Sequence, residues 1–333
     1  MKNLFEGLAV PGHCAAMPIL AFPGATLAKC SVKELVTDAA AQVAAQEALH
    51  ARLGTTFWLS AMDLSVEPEE FGAEIRLSDA EVPTVVDRLV VSAEQVDRLA
   101  VPAVGTRRSA IYLETVRRLS ARAGGLPVLA GMMGPFTLAA RLYGISEALV
   151  DTIDQPELIH RLLAKANRFL LAYARAFKAA GSDGLIIAEP MAGLIAPAAL
   201  REFSSNYIRE LVTGVADNRF AIIVHNCGAR LSHLADILAC EARCYHFGQP
   251  MDMESARKEA PADVVLSGNL DPSGVFVRST PDQVRDCTTD LLRRLGRGPG
   301  GFILSSGCDL PPNTPIANLE AFFGAVRSFR PAA

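Results

Sequence analysis

Short apolar or β-branched runs that stop at Gly, Pro, Asn or Asp recur eight times along the chain. They fall at 18–23 (PILAFP), 56–63 (TFWLSAMD), 127–134 (PVLAGMMG), 184–190 (GLIIAEP), 220–227 (FAIIVHNC), 242–248 (ARCYHFG), 263–270 (DVVLSGNL) and 301–308 (GFILSSGC). Between them lie longer stretches with apolar residues at helical spacing, among them 156–179, 197–215, 281–295 and 314–329. Strands alternating with helices predict parallel pairing through βαβ units. Eight of them predict an α/β fold of the TIM-barrel type, a closed (β/α)8 barrel rather than an open doubly wound sheet.

One connection is much longer than the rest. About sixty residues separate the second run from the third. Their acidic, turn-rich first half (VEPEEFGAEIRLSDAEVPTV) predicts an excursion over the barrel mouth, and 109–123 predicts a helix. Neither a composition shift, an internal repeat nor a low-complexity tract divides the chain, so residues 1–333 are expected to form one domain with this extended connection.

Composition narrows the setting. Half the residues are hydrophobic, enough for a large core, yet no uncharged apolar run reaches the roughly 18 residues of a membrane span. The opening MKNLFEGLAVPGH carries Glu6 early and lacks a continuous apolar stretch, so no signal peptide is expected and the cytoplasm is the expected location. A net charge of −4 gives no basic field for nucleic acid. Arginine pairs at Arg107 and Arg108, Arg117 and Arg118, and Arg293 and Arg294 are expected on solvated helix faces.

Barrel enzymes carry their chemistry at the C-terminal ends of strands. Those ends here hold Asp63, Gly134, Glu189, His225, Cys227, Gln249, Asn269 and Cys308, a more polar and reactive set than a stable barrel needs. Seven cysteines, an odd number without a CxxC pair, do not suggest a disulfide framework. His225 and Cys227 stand two apart on one strand, so their side chains leave the same face about 7 Å apart along the chain. Cys308 ends the last strand. Imidazole plus two thiolates suits zinc, and three protein ligands with one open position is the catalytic pattern. The same residues admit a plainer reading, since cysteine is among the most buried residue types. Cys240 and Cys244 are expected in the core, and Cys287, mid-helix, is expected to be structural. Cys14, Cys30 and His13 stay open, and His246 could face either the pore or a helix.

The segments GSDGLIIAEP, HNCG, SGNLDP and SSGCDLPPNTPIANLEAFF, in that order and spacing, resemble the uroporphyrinogen decarboxylase superfamily, as does GPFTLAARLYG at 134–144. The resemblance runs from about residue 18 to the C-terminus and implies a (β/α)8 barrel. True decarboxylases carry an arginine-rich segment near the first strand for a polyacidic porphyrinogen, where this chain reads PILAFPGATLAKC. The branch similar to methylcobalamin:coenzyme M methyltransferases carries His-x-Cys and a distant Gly-Cys, onto which His225, Cys227 and Cys308 fall one for one.

That branch implies a zinc-dependent methyltransferase that moves a methyl group from a methylated corrinoid, presented by a separate corrinoid carrier protein, to a thiol such as coenzyme M. Glu189, Asp63 and Asn269 are the catalytic candidates. Glu189 would serve as a transient fourth ligand or orient His225, while Asp252 and Asn269 would support the ligands. The acidic loop at 67–74 would help dock the carrier. Tetrahydrofolate as acceptor, a decarboxylase-type lyase and a non-catalytic zinc or carrier-binding module are the alternatives.

Overall fold

Seven of the eight apolar runs pair side by side in the computed structural model, which describes residues 15–296 and 301–329. In chain order the strands are β1 (Trp58–Leu59), β2 (Ile75–Arg76), β3 (Thr84–Val85), β4 (Val128–Met133) and β5 (Gly184–Ala188). Then follow β6 (Ala221–Asn226), β7 (Cys244–Phe247), β8 (Val265–Leu270) and β9 (Phe302–Ser306). A parallel sheet runs in the order β1-β4-β5-β6-β7-β8-β9, and β2 pairs with β3 as a separate antiparallel hairpin.

The first run departs from expectation. Residues 18–23 form no strand. The pairing lies just upstream, where Ala16 bridges Leu304 in parallel and Met17 N donates to Leu304 O at 2.8 Å. Thr56 Oγ1 reaches Ala16 O at 3.4 Å from the other side, so this extended segment sits between β9 and β1 and takes the eighth position of the circle. Proline explains the shift. Pro18 has no N–H for a ladder, and Pro23 opens the helix Pro23–Ala28.

Side-chain alternation then sorts the strands into two layers. Leu59, Leu129, Ile186, Ile223, Cys244, Val265 and Ile303 form one buried cluster, the barrel interior. Their neighbours Ile187, Ile222, Val224, Tyr245, Leu266 and Leu304 join a larger cluster with the surrounding helices, which supply residues such as Phe169, Tyr173 and Phe177. Each fully buried Leu or Ile is worth roughly 1.5–3 kcal/mol of transfer free energy. Cys240 packs in the outer cluster and Cys244 in the inner one, whereas Cys287 is exposed on the helix Pro281–Leu295 and has no packing role there. His13 and Cys14 lie outside the described residues.

The long connection is pinned by buried charge. Asp63 Oδ2 pairs with Arg108 Nη1 at 2.5 Å and accepts from Tyr112 Oη at 3.0 Å, while Arg108 Nε reaches Glu69 Oε2 at 2.5 Å. Arg108 is therefore a buried anchor, unlike the solvated residue that the sequence predicts, and Arg107 beside it is exposed. The acidic stretch is likewise turned inward. Glu67 accepts from Met133 N at 2.9 Å, and Glu70 takes Arg107 N at 2.9 Å and Ser109 N at 3.0 Å. Its carboxylates brace the connection and offer little surface for a carrier protein, with Glu74 left exposed.

Candidate metal centre

The strand register lifts a polar layer onto the apolar interior. On β6, Ile223 and His225 share a face, as do Cys244 and His246 on β7 and Ile303 and Ser305 on β9. His225 stands opposite Ala188 and His246 in the ladder. All three polar residues are buried, and His246, open in the sequence reading, faces the pore.

Beyond β6 the chain turns at once. Asn226 Oδ1 accepts from Gly228 N at 3.1 Å, which bends the backbone just past the strand and carries Cys227 with it. Gly248 is needed opposite, because a Cβ there would run into the Cys227 carbonyl. The result is a cluster in which one ligand atom each from His225, Cys227 and Cys308 lies within 4.8 Å of the others. Ligand atoms around a tetrahedral zinc sit about 3.8 Å apart, so a contraction of at most about an ångström would close the three on one ion. The donor set fits zinc. The Cys227 thiol is drawn down to about 4 because Cys308 donates to it and His225 stands beside it. Cys308, half-buried, keeps that proton and is pushed well above its ordinary value by the bond it donates to Cys227 and by desolvation.

A chain of hydrogen bonds stands behind the imidazole. His246 Nδ1 lies 2.7 Å from His225 Nδ1, His246 Nε2 lies 2.7 Å from Ser305 Oγ, and Ser305 Oγ donates to Met17 O at 2.7 Å. Because the Ser305 proton goes to a carbonyl, its oxygen accepts from His246 Nε2–H. Burial and the neighbouring His225 hold the His246 imidazole well below its ordinary pKa, so it is neutral and its Nδ1 accepts. The proton between the two rings therefore belongs to His225 Nδ1, and His225 Nε2 keeps a free lone pair for a metal.

The cluster opens into a cavity of about 370 Å³. Ile19, Phe22, Met62 and Leu64 form apolar walls, and 82–85 of the β2–β3 hairpin lie across it, as the sequence predicts for the long connection. Two charged residues that sequence reasoning missed also line it, Arg141 and Asp309. Asp309 directly follows Cys308. The residue is half-buried, yet both carboxylate oxygens are shut off from solvent without a hydrogen-bond partner among the described residues, and burial pushes its carboxyl well above the usual range.

Three catalytic candidates stand elsewhere. Asp63 points away from the cavity, into the Arg108 anchor, although Met62 and Leu64 on either side line it. Glu189 is also turned outward. Its Oε1 accepts from Thr137 N at 3.0 Å in the first turn of the helix Pro135–Tyr143, and a Cβ at Gly134 would collide with the carboxylate. It meets His225 only through backbone, Glu189 N donating to His225 O at 2.8 Å, and does not join the ligand cluster as a fourth member. Asn269 Nδ2 donates to Gly248 O at 3.1 Å and Met251 O at 2.8 Å, which steadies the loop that presses on Cys227. Asp252 caps the helix Met253–Glu259 and is occupied with Glu254 N and Ser255.

Known proteins share this architecture and chain. A methyltransferase from Methanosarcina mazei superposes with a TM-score of 0.87 at 22% identity over 99% of each chain. A B12-independent methionine synthase from Shewanella sp. W3-18-1 gives 0.59 at 16% identity. In sequence, the chain is 27% identical to the methylcobamide:CoM methyltransferase MtbA of Methanosarcina mazei, over 89% of this chain and 87% of that one. It is 28% identical to the uroporphyrinogen decarboxylase of Coxiella burnetii, over 91% and 84%. The profile described as uroporphyrinogen decarboxylase (URO-D) matches residues 10–329, nearly the whole barrel and every element of the cluster. The chain belongs to the uroporphyrinogen decarboxylase family.

Proposed function

We propose that this chain is a zinc-dependent methyltransferase that moves a methyl group from a methylated corrinoid, held by a separate carrier protein, to a thiol such as coenzyme M. Overall identity does not choose, because methyltransferases and decarboxylases match it almost equally. The observation that carries the reading is the convergence of His225, Cys227 and Cys308 at the wall of one cavity. A polyacidic porphyrinogen would call for several cations, and Arg141 is the one arginine or lysine among the described residues that line it. The same reading expects a cytoplasmic protein; no described helix is long and apolar enough to cross a membrane.

His225, Cys227 and Cys308 would hold the ion, whose charge lowers the pKa of a thiol set beside it. Two thiolates in the set keep that sulfur electron-rich. The cavity walls exclude water around it, and the hairpin limits what can enter. In the transfer, the acceptor sulfur attacks the methyl carbon, a C–S bond forms and the Co–C bond breaks. The electron pair stays on cobalt, leaving a thioether and a Co(I) corrinoid.

Anaerobic incubation of the zinc-loaded protein with methylcobalamin and coenzyme M tests this. The absorption of the Co(I) species should appear, vanish on chelation and return with zinc. Methylation of tetrahydrofolate by metal-free protein, or decarboxylation of uroporphyrinogen, would replace the proposal with one of the alternatives.

A further inference from the structure

Cys227 and Cys308 are hydrogen-bonded to each other, sulfur to sulfur, at the barrel mouth. Two glycines let their turns come this close. A Cβ at Gly248 would meet the Cys227 Cα at 2.8 Å, and a Cβ at Gly307 would meet the Gly248 Cα at 3.1 Å. Gly248 is therefore sandwiched between the backbone of Cys227 and the residue before Cys308. Both cysteines are half-buried and line the cavity, where a small solute can reach them. Cys240 and Cys244, by contrast, are sealed in the core.

The ligand atoms of the cluster lie within 4.8 Å of one another. A sulfur–sulfur bond is about 2.05 Å long, and side-chain rotation spans the difference. Zinc and a disulfide would compete for the same two sulfurs, because only the reduced thiolate is a metal ligand. We propose that the pair is a redox lock on the metal centre: in the absence of zinc a small peroxide joins Cys227 and Cys308 in a disulfide, and that bond keeps zinc out until a dithiol reductant breaks it. Two thiols and one hydrogen peroxide give one disulfide and two waters. Each sulfur gives up one electron, and the O–O bond breaks. A dithiol reverses the step by exchange and becomes a disulfide itself. The inference rests on the reading of the cluster as the zinc site and is independent of the methyl acceptor.

The test compares the full chain zinc-loaded and zinc-stripped, with circular dichroism checked to be equal, after anaerobic treatment with a stoichiometric amount of hydrogen peroxide. Free thiols are counted by alkylation, crosslinks are mapped by mass spectrometry of peptides, and zinc uptake is measured by chelator competition. The stripped protein should lose two thiols to a Cys227–Cys308 crosslink, lose most of its zinc uptake and regain both with dithiothreitol. The zinc-loaded protein should keep both thiols over the same period. Cys287→Ala should follow the wild type, whereas Cys227→Ser and Cys308→Ser should form no intramolecular crosslink and carry the remaining sulfur as an oxyacid. Equal crosslinking with and without zinc, a crosslink through another cysteine, or oxidation to sulfinic acid with no crosslink overturns the proposal. Stripped, reduced protein that binds zinc yet never forms the crosslink would defeat the lock and leave the metal reading standing. Crosslinked protein that binds zinc at full affinity would defeat both, because neither cysteine could then be a ligand.

Discussion

His225 and His246 share a proton across 2.7 Å, ring nitrogen to ring nitrogen, and the direction of that hydrogen bond is fixed by Ser305 behind it. Ligand imidazoles are ordinarily oriented by a carboxylate, a carbonyl or water. Here the orienting group is a second, buried imidazole, which leaves His225 as the Nδ1–H tautomer with Nε2 free. His246→Ala should therefore weaken zinc by about tenfold to a hundredfold in chelator competition. His246→Gln, which retains an acceptor, should recover part of the loss. Nitrogen chemical shifts of His225 should report a mixed tautomer in the Ala variant. Undiminished zinc affinity there would mean that the ring merely fills space.

Metal content separates the cysteines. Cys308→Ala should lose most of the zinc, because it removes one of three converging ligands. Cys287→Ala should keep about one ion per chain, since that thiol is exposed on an outer helix. Elemental analysis of both purified proteins decides it, and equal zinc in the two would remove Cys308 from the ligand set.

The barrel and the cluster were legible because they follow short-range rules. A run of apolar residues ending in a polar one marks a strand end, and His225 and Cys227 two apart must share a face. Faces could not be assigned beyond that without the register. Glu189 falls one position out of phase with the inward-facing Ala188, so alternation turns it outward, whereas Asp63 shares the parity of the inward-facing Leu59 and is turned out because β1 ends at Leu59 and the alternation breaks before Met62. Counting from Cys244 in the same way points His246 into the pore. Arg141 and Asp309 escaped because nothing local marks them. Arg141 sits two turns beyond a strand end, and its lack of a counter-ion among the described residues is a property of the packed structure. The acidic run at 67–74 looked free to dock a carrier because its partners, Met133 N and Arg108, are about forty to seventy residues away in sequence.

The Asp63–Arg108 pair gives a stability prediction. Both side chains are almost fully buried. Removing Arg108 strands the Asp63 charge, at a cost of about 3–5 kcal/mol, whereas Arg108 without Asp63 would still pair with Glu69. Arg108→Ala should lower the unfolding free energy measured in urea by an amount of that order, whereas Arg117→Ala, which loses only an exposed pair with Glu114, should change it by about 0.5 kcal/mol or less. Equal effects would mean that the anchor carries no more than a surface ion pair.

Two buried carboxyls set a pH dependence of folding. Burial raises both Glu189 and Glu67 to about 8 from an ordinary 4.5, and each has one oxygen, Oε2, without a hydrogen-bond partner among the described residues. A carboxyl held above its unfolded value binds its proton more tightly in the native state. Its contribution is therefore fully present below about 4.5 and is lost as pH rises toward about 8. Each pKa unit in that window is worth about 1.4 kcal/mol as an upper bound. Glutamine keeps the carbonyl oxygen that Thr137 N and Met133 N need, and it does not titrate. Urea unfolding of metal-free protein in excess chelator, from pH 5.5 to 8.5, should show the loss of stability with rising pH greatest in the wild type, smaller in Glu189→Gln and smallest in the double variant with Glu67→Gln. The metal-free form is used because zinc binding would add its own proton release, and the Cys227 thiol, drawn down to about 4, adds the same opposing rise to all three proteins, so the differences between them carry the test. An identical slope in wild type and double variant would show that neither carboxyl carries the proton. Zinc content of Glu189→Gln, measured in the same preparations, should match wild type, because its carboxylate faces a helix N-terminus and not the metal cluster.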